Sequence, residues 1–254
     1  MSGETEVVFG CIRRSYSEMT ALPPEHAAFL GVVEYMVTEL NVLQRIYLQA
    51  DHREIESPIV EEIAAIQRNL VMRTISSKLF EFVEFCDGVV RSCKSVTLSN
   101  LVRASVERFR SLDETKGFEI ARNLRHESAN HYSFKAALKN LQFIDEDTNF
   151  DIYAGKLEGN TFFPFGERLM FNARMDRHFD STGFSDTGEY LDHWIAWMLG
   201  SASWARLLHK QAFEVLWMEA HPTGKFEEES VRLPEALVVS LDTASLPLFA
   251  GRPS

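Results

Sequence analysis

From Ser57 to Val89 the chain reads SPIVEEIAAIQRNLVMRTISSKLFEFVEFCDGV. Ser57-Pro58 is a helix start: the serine can cap, and the proline sits where its missing N–H costs nothing. Ile59, Ile63, Ile66 and Leu70 then recur every three or four residues, and Ile75, Leu79, Phe82, Cys86 and Val89 carry the stripe on. That period puts one apolar face along a helix. It predicts one long helix, or two in tandem, running to about Gly88. Upstream, Pro23-Pro24 ends an irregular N-terminal arm, after which Phe29, Val33, Met36, Leu40, Leu43 and Tyr47 repeat the same spacing. Downstream, a short link leads to a third helix, roughly 98–109. Asp113 is placed to cap the next, which would hold Phe118, Ala121, Arg125, Ser128 and Tyr132 on one face and end near Leu141.

The texture changes at Asp145. From there to Gly188 the chain is rich in Gly, Asn, Asp and Phe. Phe150 to Tyr153 and Thr161 to Phe163 alternate weakly around Gly155 and Gly159, which suits a small β-hairpin or an ordered loop. A last long helix is expected from about Thr187 to Glu219, stopped by His221-Pro222. Trp194, Trp197, Trp204 and Trp217 surround it, so both faces are expected to be buried, in the core or against a second subunit. The expected organisation is therefore an arm (1–22), a helical bundle (23–144), a Gly/aromatic-rich insertion (145–186), the Trp-rich helix packed on the bundle (187–221) and a tail (222–254). The fold class is all-α, a helical bundle with a small β-hairpin or loop insertion.

Composition is that of a globular protein, with 45% hydrophobic and 25% charged residues in 254. No run approaches the roughly 18 apolar residues a membrane span needs. The first residues lack the basic-then-apolar layout of a signal peptide. Cys11, Cys86 and Cys93 are an odd, sparse set without C-x-x-C spacing, which points to a reducing compartment and so to the cytoplasm. The net charge is −11, which argues against nucleic-acid binding by the whole surface. The charge is uneven. Residues 91–140 hold ten Lys and Arg against five acids, a net +5 that leaves −16 on the rest.

That basic island contains the densest chemistry in the chain, Arg122-Asn123-Leu124-Arg125-His126-Glu127-Ser128-Ala129-Asn130-His131. Imidazole gives and takes protons near neutral pH, and guanidinium grips phosphate with paired donors. The candidate site residues are Arg122, Asn123, Arg125, His126 and His131. On an unbroken helix Arg122 and His126 share one face, and Asn123, Glu127 and His131 another, while Arg125 and His131 stand about 120° apart. Their convergence needs a helix end or kink near Ser128-Ala129-Asn130, or a partner from a second subunit. The competing reading is a solvated helix face, with Arg125 paired to Glu119 or Glu127.

Other signatures are absent. There is no G-x-G-x-x-G, no P-loop, no G-x-S-x-G and no H-E-x-x-H. Two Glu-x-x-x-His pairs, Glu127/His131 and Glu189/His193, could each share a helix face, but a metal would need all four to converge. No metal and no cofactor are expected.

The Arg/His stretch resembles the motif of the HEPN superfamily of helical-bundle ribonucleases and nucleotide-binding domains, in which an Arg and a polar residue are followed some residues later by a His. Arg125, followed by His126 and separated from His131 by five residues, is similar to that pattern. Arg122-Asn123 matches the common opening dipeptide, but with His126 too early and His131 too late, so the working arginine stays open. The resemblance covers the motif and the all-helical setting. It implies metal-independent cleavage of RNA to a 2′,3′-cyclic phosphate and a 5′-hydroxyl, a homodimer with a composite cleft, and a role in prokaryotic stress, toxin–antitoxin or phage defence with a possible antitoxin partner. The alternative is a non-enzymatic helical interaction or regulatory protein that binds a partner protein or a phosphate-containing ligand.

Overall fold

The computed structural model describes residues 4–50, 56–124, 133–148, 150–154, 160–184, 186–221 and 227–234, with 238, 247 and 248. Strand β1 (Glu4–Cys11) is followed by the short helix α1 (Tyr16–Ala21) and then by α2 (Pro24–Gln49), α3 (Pro58–Ser92), α4 (Val96–Asp113), α5 (Lys116–Leu124) and α6 (Phe134–Asn140). The hairpin strands β2 (Tyr153–Ala154) and β3 (Thr161–Phe162) come next, then α7 (Pro164–Glu167), a π-helical turn (Arg168–Asn172) and α8 (Ala173–Thr182). Helix α9 (Thr187–Ala212) passes into a second π-helical turn (Phe213–Met218), and β4 (Glu227–Pro234) closes the order. The fold is mostly helical, with two small antiparallel pairs, β1 with β4 and β2 with β3. No described helix is long and apolar enough to cross a membrane.

The stripe from Ser57 to Val89 forms one unbroken helix of 35 residues, about 52 Å long at 1.5 Å per residue. It and α2 present Phe29, Leu30, Val33, Leu40, Ile75, Leu79 and Phe82 to a common core. Helix α9 lies against α2, α3, α4 and α5. Its tryptophans meet aromatic rings of this same chain: Trp197 stacks on Phe80 at 5.2 Å, and Trp204 meets Phe109 at 4.6 Å and Phe82 at 5.5 Å. Two of the indole N–H groups are satisfied within the core, while that of Trp197 is buried with no hydrogen-bond partner among the described residues. Trp194 Nε1 donates to Ser76 Oγ at 2.9 Å, and Trp204 Nε1 to the Ser105 carbonyl at 2.8 Å. Of the two coverings the sequence allowed for this helix, the core is the one that takes the tryptophans.

Several expectations need correction. Asp113 does not cap the helix after it but ends α4. The cap of α5 is Thr115, whose hydroxyl accepts from Phe118 N–H at 3.3 Å and donates to the Leu112 carbonyl at 2.7 Å. No single helix runs to Leu141, because Ser133 is extended (φ −112°, ψ 110°) and caps α6 by accepting from Ala136 N–H. The insertion contains the expected hairpin, with Tyr153 opposite Phe162. After the hairpin the chain is helical from Pro164 to Thr182. The arm is not irregular: β1 pairs along its length with β4, from Glu4↔Pro234 to Cys11↔Glu227.

Candidate functional site

Helix α5 carries the described end of the Arg/His stretch. Its inner face buries Ile120 and Ala121, while Glu119 and Arg122 are exposed. Gly117 allows α5 to lie directly on α9: a Cβ there would collide with the His193 carbonyl and with Trp197 Cβ. The absence of a side chain thus sets the distance at which α5 presents its far end.

At that end, the Arg122 guanidinium lies 5.7 Å from the Phe118 ring, one turn back. This contact lays the side chain along the helix and keeps its donors in solvent. Asn123 is half-buried, and its main-chain carbonyl accepts a hydrogen bond from Arg174 Nη2. Arg174, on α8, is only 2% exposed. A buried guanidinium at the carbonyl end of a helix is favourably placed against the helix dipole, and it ties α5 to α8. Sequence reasoning missed Arg174. The only signal was a lone arginine between Phe171 and Met175, in a segment read as loop.

Arg125, His126 and His131 lie outside the described residues, so of the five candidates only Arg122 and Asn123 are placed. They are neighbours at one helix end, with Arg122 turned outward and the Asn123 carbonyl turned toward α8.

The Glu-x-x-x-His pairs divide in the same way. Glu127 and His131 lie outside the described residues. Glu189 and His193 sit one turn apart on α9 and line a cleft of about 570 Å³ with Asp186 and Asp192. Asp186 caps α9 by accepting from Glu189 N–H at 2.9 Å. Phe184 bridges this cleft to α5, with its ring 5.2 Å from the His193 ring and 4.4 Å from Lys116 Nζ. Among the described residues no group of three or more His, Cys, Asp or Glu is arranged to hold a metal ion. The two ends of α5 therefore differ in character: acidic groups surround its start, and guanidinium groups its last turn.

Compared with protein-family models, with curated proteins and with solved structures, the chain matches none.

Proposed function

We propose that the chain is a metal-independent endoribonuclease of HEPN type. The observation that carries the reading is the exposed Arg122 on the last turn of α5, which the bond from Arg174 to the Asn123 carbonyl ties to α8. Arg122 opens the Arg/His stretch and leaves a guanidinium in solvent to meet phosphate.

The chemistry uses the RNA's own 2′-hydroxyl as nucleophile. One imidazole, His126 or His131, takes its proton or protonates the leaving 5′-oxygen. Arg122 or Arg125 stabilises the charge that builds on the phosphorane oxygens, while Asn123 helps orient the phosphate. DNA lacks the nucleophile and resists this route. By the resemblance, the protein would act in stress, toxin–antitoxin or phage defence, with an antitoxin as a possible partner and a homodimer completing the cleft. The dimer rests on the resemblance alone, since the tryptophans of α9 are covered by their own chain.

The test is incubation of purified protein with RNA in EDTA. Cleavage to 2′,3′-cyclic phosphate ends is expected, with DNA untouched. Arg125→Ala and His131→Ala should each lose on the order of 10²-fold in rate while keeping their helicity. Cleavage that persists unchanged in both variants refutes the assignment. Salt-sensitive RNA binding without cleavage would favour the phosphate-binding alternative, which the resting of Arg122 on Phe118 also suits.

A further inference from the structure

A second cleft, of about 510 Å³, opens at the other end of α9. That volume lies within the range typical of small-molecule sites. One wall is a single face of α2, where Glu34, Val37, Thr38 and Asn41 follow helical spacing. The opposite wall is His209 and, one turn on, Phe213, where α9 passes into its π-helical turn. Such turns interrupt regular helix and occur frequently at functional sites. His193 and His209 are separated on α9 by about 24 Å of helix, so this cleft is remote from the contact between α5 and α9.

The charges in the cleft are matched to each other. Arg14 grips Glu34 with two bonds, Nη1 to Oε1 at 2.6 Å and Nη2 to Oε2 at 3.0 Å. The two side chains are 27% and 26% exposed. The Arg14 guanidinium also lies 5.7 Å from the Phe213 ring and 5.5 Å from that of Trp217, which stacks on His221 at 4.0 Å. Arg14 therefore cannot turn to an incoming anion without leaving a carboxylate and two rings. His209 is half-buried, and its ring has no hydrogen-bond partner among the described residues. Burial lowers its pKa, Glu34 opposes this and Arg14 reinforces it, which favours the neutral ring with its one donor and one acceptor. The Asn41 carbonyl oxygen accepts from Arg206 Nε at 3.1 Å, which leaves the amide nitrogen as a donor.

These groups restrict the occupant. An anion would face Glu34, and a cation would face Arg14. A metal ion would find only Glu34 and His209 as ligands. An aliphatic chain would desolvate the imidazole and the amide without satisfying them. We infer that this cleft binds an uncharged, flat heteroaromatic molecule of one or two rings that carries both a donor and an acceptor. The molecule stacks on Phe213 and exchanges hydrogen bonds at its edge with His209 and Asn41. The inference does not depend on whether the chain cleaves RNA.

The test uses the full chain and benzimidazole, a two-ring probe with one N–H and one acceptor nitrogen, followed by saturation-transfer NMR and calorimetry. Saturable binding is expected, with 1,3-dimethylbenzimidazolium, flat but charged and without the donor, at least tenfold weaker. Phe213→Ala should weaken benzimidazole binding about tenfold, the lower end of what loss of a base–aromatic stack removes. Thr38 is exposed, so Thr38→Tyr fills the cleft without touching the core and should abolish binding with helicity unchanged. Absence of benzimidazole binding at millimolar concentration overturns the inference. So does binding that survives Thr38→Tyr, or equal affinity for the charged ring. Should Phe213→Ala fail to fold, Thr38→Tyr decides alone.

Discussion

Asp113 places a carboxylate at the end of α4 where the helix dipole is itself negative. Burial pushes its pKa up to about 6, Asp87 adds to the shift and Arg110 opposes it. Its Oδ1 is buried with no hydrogen-bond partner among the described residues. The folded state thus holds this proton more tightly than the unfolded chain, where an aspartate titrates near about 3.9. The resulting stability is fully present below about pH 4 and is lost as the pH rises through about 6. Asp113→Asn should therefore stabilise the fold by on the order of 1 kcal/mol at pH 8, after allowance for partial exposure, and hardly at all at pH 4. Urea unfolding at the two pH values checks this; an equal gain at both would remove the titration from the account. Cys93 illustrates the same physics in a thiol. Burial, and then its bond to Glu25 Oε2 at 3.1 Å, push its pKa up. It should react with iodoacetamide at pH 8 more slowly than in the unfolded chain, and faster again in Glu25→Gln. Equal rates in the parent and Glu25→Gln would show that the carboxylate has no part in it. At this scale the sequence pointed to Arg122 and Asn123 by their type and crowding. It could not point to Arg174, whose importance lies in a carbonyl it reaches across the fold, and composition carries no trace of that.

Elements were more legible, wherever burial is one-sided. The apolar stripes of α2 and α3 appear in the sequence at the helical period because each of these helices turns one face to a shared core, and α9 stands out by its many large apolar groups because α2, α3, α4 and α5 all lie against it. Helix α8 escaped because its residues 173–182 are mostly polar, and its buried side is formed by Ala173, Arg174 and Met175. The strands β1 and β4 escaped for a different reason. Each finds its partner at the far end of the chain, and Val7-Val8-Phe9 does not alternate as a half-buried strand would. The break before α6 was hidden because Ser133 is recognisable as a cap only once the helix it caps is known. The contact of α5 with α9 supports a prediction of its own. Gly117→Ala forces α5 off α9, since the methyl has neither the His193 carbonyl nor Trp197 Cβ at an acceptable distance. The expected loss is about 1–3 kcal/mol, the usual cost of overpacking, read as an earlier urea midpoint. Arg122 moves with the helix, so the proposed RNA cleavage should fall in the same variant even under conditions where it remains folded. Full cleavage by a destabilised Gly117→Ala would separate α5 from the chemistry.

For the molecule as a whole, the tryptophans of α9 account for the cohesion of a single chain. A composite ribonuclease cleft still needs two copies, and light scattering at micromolar concentration decides it: a dimer is expected, and a clean monomer removes the shared-cleft form of the mechanism. The ribbon of β1 and β4 has a consequence of another kind, in mechanics. Glu4 lies opposite Pro234 and Cys11 opposite Glu227, so tension applied between Glu4 and Pro234 meets the rungs one at a time and not all together. The ribbon should peel open like a zip at low force, releasing roughly 50 Å of chain. Arg13, with its bonds to Glu227 and Glu229 at 3.1 Å each, stands just past the closed end as the last catch. Only after it lets go do α1 and the helices behind it bear load, so an optical-tweezers trace should show a short compliant step well before the cooperative rip of the helical core.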